Sequence, residues 1–83
     1  MAPSVRLIGW NKGLNKVRLA LAITKHGLGY SLKDASDLVI YLTNNEPREI
    51  FFKNMKSAQE FAREAVEYGA KIEADTITIV QAR

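Results

Sequence analysis

Hydrophobic and polar residues alternate in two segments of the chain, which is the pattern of a half-buried β-strand. The first is residues 4–9 (SVRLIG), where valine and leucine flank an arginine and a glycine ends the run. The second is residues 48–53 (REIFFK), where Ile50 and Phe52 are predicted to face inward and Phe51 to point the other way. The pattern therefore predicts two strands, the second with a phenylalanine on its outer side.

A further stretch with strand character runs from Lys71 to Val80. It centres first on Ile72 and then on the β-prone segment TITIV at residues 76–80. Two interpretations stay open: Ala74–Asp75 is either the turn of a hairpin or a bulge within one long strand. The chain is thus predicted to carry a third strand, with an extra C-terminal strand if the hairpin interpretation is right.

Residues 15–26 (NKVRLALAITKH) have helical spacing between two helix signals. Asn15 is the predicted N-cap, and Lys25–His26 followed by Gly27 predicts a helix end with a left-handed glycine. Four residues recur at helical spacing: Val17, Ala20, Leu21 and Thr24.

Leu19 and Ile23 lie on a different face of that helix from these four residues. A helix that is apolar over so wide an arc either lies deep in a core or keeps part of its apolar surface for a partner. Both interpretations stay open for Leu19 and Ile23 from the pattern alone.

The next helix is predicted to begin after the corner GLGY at residues 27–30. Ser31 and Asp34 form the S-x-x-D pattern of a helix start. The helix is expected to end at NNEP (residues 44–47), because paired asparagines favour turns and the residue before a proline avoids helical angles. One continuous apolar stripe predicts its buried side: Leu32, Ala35, Leu38, Val39 and Leu42.

A third helix is predicted from Ser57 to Tyr68. Ser57 and Glu60 form the S-x-x-E pattern of a capping box, and Gly69 is the expected stop. The predicted buried stripe has five residues: Ala58, Phe61, Ala62, Ala65 and Val66.

The elements follow one another in the order β-α-α-β-α-β. This order predicts an α+β fold, a sandwich in which an antiparallel sheet is covered on one face by three helices. A chain of 83 residues buries only about 60% of its unfolded surface on folding, so a single domain spanning residues 1–83 is expected.

Composition and charge narrow the functional classes. Because the chain has no cysteine, disulfides, zinc–thiolate sites and thiol catalysis are excluded, and we expect a cytoplasmic protein. The longest apolar run, residues 19–23, is far shorter than the roughly 20 residues that span a bilayer, so no membrane partner is expected. Residues 1–7 lack the apolar segment of a signal peptide, so export is not expected either.

The net charge of +3 conceals a segregated distribution. Residues 1–33 hold six bases and no acid, whereas residues 34–83 hold all nine acids and six bases. A basic half of this kind is typical of proteins that bind an acidic protein surface or nucleic acid phosphate, and it also occurs as an ordinary solvated surface.

No group of residues in the sequence points to catalysis, a metal or a cofactor. His26 is the only histidine and has no carboxylate or cysteine beside it, so a helix-terminal role is predicted for it. Glu60, Glu64 and Glu67 recur in the pattern of a solvated helix face. We therefore predict a protein that is not an enzyme and uses no cofactor.

Three segments carry a resemblance to a known family: NKVRLALAI (residues 15–23), GLGYSLKDASDLV (residues 27–39) and EFAREAVEYGAKIE (residues 60–73). Their order and spacing are similar to the C-terminal domain of the bacterial ribosomal stalk protein, which shares its fold with the ClpS protease adaptor. The resemblance implies a docking face for translation GTPases on the first two helices and the glycine corner. It assigns contacts to six residues: Lys16, Val17, Leu28, Gly29, Leu32 and Lys33.

The chain also departs from the family pattern. Leu21 and Thr24 stand where the family has basic residues, Ser36 stands where it has a lysine, and one extra residue lies near Tyr30. The acidic elements with which ClpS-type adaptors read their ligands have no counterpart in residues 9–16. The family's dimerisation domain and hinge are not part of this sequence, so we expect a free-standing copy acting as a mimic or inhibitor.

The resulting hypothesis is a protein-interaction module whose partner is a translation factor or another host machine with an acidic surface. Its predicted partner-binding residues lie on the first helix, in the corner and at the start of the second helix: Lys16, Val17, Arg18, Lys25, Leu28, Gly29, Tyr30, Leu32 and Lys33. The alternative is nucleic acid binding by the basic N-terminal half, with Trp10 and Tyr30 beside it. A third hypothesis is self-assembly through a sheet edge or face at Phe51, Ile77 and Ile79.

Overall fold

The computed structural model describes residues 3–73, which form three helices and three strands. In chain order these are β1 (Ser4–Trp10), α1 (Lys16–His26), α2 (Leu32–Thr43), β2 (Arg48–Phe51), α3 (Met55–Glu67) and β3 (Ala70–Ile72). The strands form an antiparallel sheet in the order β2-β1-β3. The predicted α+β class and element order are confirmed, while the turn or bulge at residues 74–75 and the further strand at 76–80 lie outside the described residues.

Side chains of the sheet alternate between a covered and an open face. Val5 and Leu7 of β1 and Ile50 of β2 are fully buried beneath the helices, whereas Arg6 and Phe51 are exposed on the other side. This alternation follows from the period of two in a β-strand. The predicted outward position of Phe51 is confirmed.

Two helices begin where local signals predict. The side chain of Asn15 accepts the backbone N–H of Arg18 at 3.1 Å. At α2 the Ser31 hydroxyl accepts the N–H of Asp34 at 3.1 Å, and the Asp34 carboxylate accepts the N–H of Ser31 at 3.3 Å. Both caps satisfy backbone donors that have no partner within a helix.

The third helix begins earlier than predicted, at Met55. Asn54 is its N-cap, because the Asn54 side chain accepts the N–H of Ser57 at 2.8 Å. Ser57 therefore lies inside the first turn, and the predicted start at Ser57 is wrong. Val66 is half-exposed where burial is predicted, while Gly69 ends the helix with a φ of 104°, as expected.

Helix α1 buries the side that carries Leu19 and Ile23. Both are fully buried and belong to the core, so of their two interpretations core packing is correct and they are not a partner surface. Of the residues at helical spacing, Ala20 is buried, whereas Val17 and Leu21 are exposed. The reason is that α1 packs against both α2 and α3, and the direction of those two neighbours sets the buried side.

Helix α2 follows its predicted stripe except at its first residue. Ala35, Val39 and Leu42 are buried and Leu38 packs against them. Leu32 is more than half-exposed, because it opens the helix beside the corner and its side chain points away from the core. The stripe prediction is wrong at Leu32.

The corner, residues 27–30, is attached to the sheet. The N–H of Leu28 donates to the carbonyl of Phe51 at 2.9 Å, and the N–H of Phe51 donates to the hydroxyl of Tyr30 at 3.0 Å. Gly27 is extended, with a φ of −73°, and not left-handed as predicted. A Cβ at Gly27 would overlap the Tyr30 ring, so close packing is what requires glycine there. The left-handed residue of the corner is Gly29, with a φ of 78°.

Candidate functional site

The first turn of α1 exposes an apolar side chain between two cations. Val17 is 70% exposed, the largest value among the exposed large hydrophobic residues between positions 3 and 73. Lys16 and Arg18 beside it are also exposed, and the turn holds no acid. Cations near the positive end of a helix dipole are unfavourable for the helix. Lys16 and Arg18 therefore do not stabilise this end of the helix.

Val17 and Leu21 form one wall of an apolar groove between α1 and α2, termed the α1–α2 groove. Its volume is about 330 Å³. On the α2 wall, Leu32 and Ile40 are 54% and 55% exposed, and Leu21 facing them is 50% exposed. Among residues 3–73, eight line this groove: Lys16, Val17, Ala20, Leu21, Leu32, Ser36, Val39 and Ile40. Full burial of such a side chain is favourable by about 1.5–3 kcal/mol, so each half-exposed one leaves roughly 1 kcal/mol for a partner to gain.

The same two α1 residues also border a second groove, on the side of α3. This α1–α3 groove has a volume of about 410 Å³, and seven residues of the described part of the chain line it: Val17, Arg18, Leu21, Ala22, Lys25, Glu64 and Tyr68. Within residues 3–73, Arg18 and Lys25 form no ion pair. The ridge of Val17 and Leu21 thus separates an apolar groove from a groove that carries two unpaired cations in the described part of the chain.

The corner lines a third cavity, the corner pocket, of about 680 Å³. Its lining residues are Leu28, Gly29, Tyr30, Asp34, Asp37, Leu38 and Phe51. Leu28 is exposed, whereas Tyr30 is half-buried and its hydroxyl is used by the Phe51 N–H. Two carboxylates border this pocket, so its charge is opposite to that of the α1–α3 groove.

The predicted site residues are therefore distributed over three surfaces. Lys16, Val17 and Leu32 meet in the α1–α2 groove; Val17, Arg18 and Lys25 meet in the α1–α3 groove; and Leu28, Gly29 and Tyr30 meet in the corner pocket. Lys33 lines none of the three, and its exposed ammonium lies 3.4 Å from a carboxylate oxygen of Asp37.

Sequence reasoning missed five residues of the α1–α2 groove: Ala20, Leu21, Ser36, Val39 and Ile40. A signal for Leu21 was present in the wide apolar arc of α1, which predicts either a deep core or a partner surface. Ile40 had a signal too, because it is a large apolar residue next to the α2 stripe and outside it. Neither pattern predicts which of the apolar residues on α1 and α2 remain exposed.

The side chain of His26 at the end of α1 contacts two carboxylates of α3. Its side chain is almost completely buried, with Nε2 3.1 Å from a Glu64 oxygen and Nδ1 3.9 Å from a Glu60 oxygen. The predicted helix-terminal position is confirmed, while Glu60 and Glu64 face this imidazole and not only solvent as predicted. The two carboxylates approach different ring nitrogens, and among residues 3–73 no cluster of His, Asp or Glu is suited to holding a metal ion.

Comparison of the chain with protein-family models, with curated proteins and with solved structures finds no match in any of the three. The resemblance to the ribosomal stalk domain stays a prediction that rests on the three sequence segments. Among the helices of residues 3–73, none has the length and apolar character needed to cross a membrane.

Proposed function

We propose that this chain is a non-enzymatic docking module that binds another protein through the exposed side of α1. The observation that carries the proposal is the ridge of Val17 and Leu21, which is exposed, apolar and flanked by cations at Lys16 and Arg18. Isolated exposed apolar residues are ordinary, but several that line one groove are typical of a binding surface. Aligned cations steer an acidic partner and set its orientation.

The stalk-domain resemblance supports a translation GTPase as the partner class, and another host machine with an acidic surface is the broader form of the proposal. Three residues to which the resemblance assigns contacts, Lys16, Val17 and Leu32, line the α1–α2 groove together. Leu28 and Gly29 lie on the adjacent corner. A role as a mimic or inhibitor stays a prediction.

Nucleic acid binding is the second candidate. It is favoured by Arg18 and Lys25, which form no ion pair within residues 3–73, and by the partly exposed ring of Trp10. The environment of Tyr30 argues against it. The Tyr30 hydroxyl accepts the N–H of Phe51, and the ring packs against the core. This candidate requires affinity for DNA or RNA that falls steeply with salt, and absence of binding at low salt would remove it.

The test of the docking proposal is affinity capture from native lysate, followed by binding measurements with the purified captured protein. Three forms of the chain are compared: wild type, a charge-reversal variant (Lys16→Glu with Arg18→Glu) and a control variant (Lys53→Glu with Lys56→Glu). Both control lysines are exposed and lie outside the three cavities. We expect the charge-reversal variant alone to lose the partner. Equal capture by all three forms would overturn the proposal.

A further inference from the structure

We infer that the partner contributes an amphipathic α-helix with acidic residues along one flank. Its apolar side lies in the α1–α2 groove, and its acidic flank lies over the α1–α3 groove. This inference rests on the proposed function and specifies the chemistry of the partner at the same surface.

The walls of the α1–α2 groove explain why the bound element is a helix. Both walls are helices, whose central N–H and C=O groups are already used in their own hydrogen bonds. An extended peptide adds to a protein through free main-chain groups at a sheet edge, and the two helical walls offer none. A helix satisfies its own backbone and presents only side chains, so it is the element that this groove can accept.

The spacing of the exposed apolar side chains suits a helix as well. Val17 and Leu21 are one turn apart on α1, and Leu32 and Ile40 are about two turns apart on α2. A partner helix that lies along the groove presents apolar residues at i, i+4 and i+7, which repeat at the same one-turn interval.

The charges on the two sides of the ridge differ, and this difference orients the partner. Toward α2, Lys16 and Ser36 are the only polar residues that positions 3–73 contribute to the groove lining. Toward α3, Arg18 and Lys25 lie two turns apart and form no ion pair within residues 3–73, while Glu64 is engaged by His26. We therefore expect the acidic residues of the partner helix on the flank that faces α3. The positive end of the α1 dipole, next to Arg18, favours acids there further.

The same charges disfavour a second copy of this chain as the occupant. A symmetric dimer through this ridge would place the same patch of both copies in contact, so Lys16, Arg18 and Lys25 would meet their own equivalents. Like charges brought together at an interface are strongly unfavourable. Helix α3 is a poor occupant too, because its two exposed large apolar residues, Met55 and Val66, lie at opposite ends of the helix and do not form a continuous stripe.

The probes are two side-chain-stapled peptides of about 15 residues, a length that is marginal for helix formation without the staple. Both carry leucines at i, i+4 and i+7. One carries glutamates along a single flank, and the other carries glutamines at those positions. Affinity for the full chain is measured by fluorescence anisotropy at about 0.15 M salt, where exposed charges still interact at short range. The binding surface is mapped by amide chemical shifts.

We expect the glutamate peptide to bind about tenfold more tightly than the glutamine peptide. Its shifts should centre on Val17, Leu21 and Ile40. Reversal of the two cations of the α1–α3 groove, Arg18→Glu with Lys25→Glu, should remove the preference for glutamate, and Leu21→Ala should weaken both peptides by about tenfold. The control variant should bind as wild type does, and amide spectra of each variant establish that it is folded.

Three results would overturn the inference. The first is equal affinity for both peptides, and the second is a set of shifts centred on the corner pocket or the sheet. The third is a concentration-dependent dimer that Val17→Ser abolishes, which would make a second copy the occupant. If neither peptide binds while a captured protein still depends on Lys16 and Arg18, the partner element is not an acidic helix, but the proposed function stands. If capture of the partner does not depend on Lys16 and Arg18 either, both the proposed function and this inference are wrong.

Discussion

Two leucines on the same helix have opposite environments. Leu19 is fully buried, together with Ile23, whereas Leu21 is 50% exposed and lies beside Val17. The buried side of α1 packs toward the core between α2 and α3, and the exposed side borders the two grooves. The comparison shows that the elements packed against α1 within residues 3–73 cover only part of its apolar surface. The uncovered part lies in one strip beside cations, and that strip is the candidate site.

The comparison with α3 shows the ordinary arrangement. Its buried residues are small or aromatic and lie on one stripe: Ala58, Phe61, Ala62 and Ala65. Its outer side is mostly charged or polar, as expected for a helix that only covers a sheet. Helix α1 departs from this arrangement at Val17 and Leu21, which are exposed apolar residues one turn apart beside a groove.

The largest expected effect separates the two sides of α1 directly. Leu19→Ala should lower the free energy of unfolding by about 2–5 kcal/mol, because it leaves a cavity in the core. Leu21→Ala should lower it by less than about 1 kcal/mol, since half of its side chain is already in water. Urea denaturation measures both. Equal losses for the two leucines would mean that the assignment of the sides is wrong.

The corner should be the next most sensitive region, because it attaches the end of α1 to the sheet. Gly27→Ala should lower the free energy of unfolding by about 1–3 kcal/mol, since the added Cβ overlaps the Tyr30 ring. Gly29→Ala should cost about 1 kcal/mol, because its φ of 78° strains an alanine although space around it is open. Thermal denaturation of both variants checks the order, and a larger loss at Gly29 would contradict it.

The hydroxyl of Tyr30 provides a finer test of the corner. Tyr30→Phe should lower the free energy of unfolding by about 0.5–1.5 kcal/mol and speed hydrogen exchange at the Phe51 amide, which loses its acceptor. Tyr41→Phe is the matched control, because Tyr41 is exposed and its hydroxyl has no hydrogen bond among residues 3–73. Unchanged exchange at Phe51 would show that the Tyr30 contact does not persist in solution.

The smallest expected effects distinguish binding from folding at the cations. Lys16→Glu and Arg18→Glu should each raise the free energy of unfolding by about 0.3–1 kcal/mol, because acids suit the first turn of a helix. Lys25→Glu, in the last turn, should lower it by a similar amount, about 0.3–1 kcal/mol. Thermal unfolding at low salt measures these shifts, and high salt should reduce them. A charge-reversal variant that is more stable yet loses its partner would assign Lys16 and Arg18 to function; one that is less stable would contradict the dipole argument.

The sequence by itself determined the parts of this protein that depend on neighbouring residues in the chain. The caps at Asn15 and Ser31, the stop at Gly69 and the alternation in β1 and β2 are local, and they predict the α+β order correctly. The error at the start of α3 is local too: Asn54 is an alternative cap three residues before Ser57. The basic character of the candidate surface was also readable, because the segregation of charge is visible along the chain.

Only the tertiary structure decided which side of α1 is buried. Helical periodicity states the angle between Leu19 and Leu21 around the helix axis, but not the directions in which α2 and α3 lie. For the same reason the apolar stripe of α2 predicts Leu32 in the core, and it gives no indication that Ile40 lines a groove. A groove is a property of two packed elements, so Val17, Leu21 and Ile40 become one surface only once α1 and α2 are placed side by side.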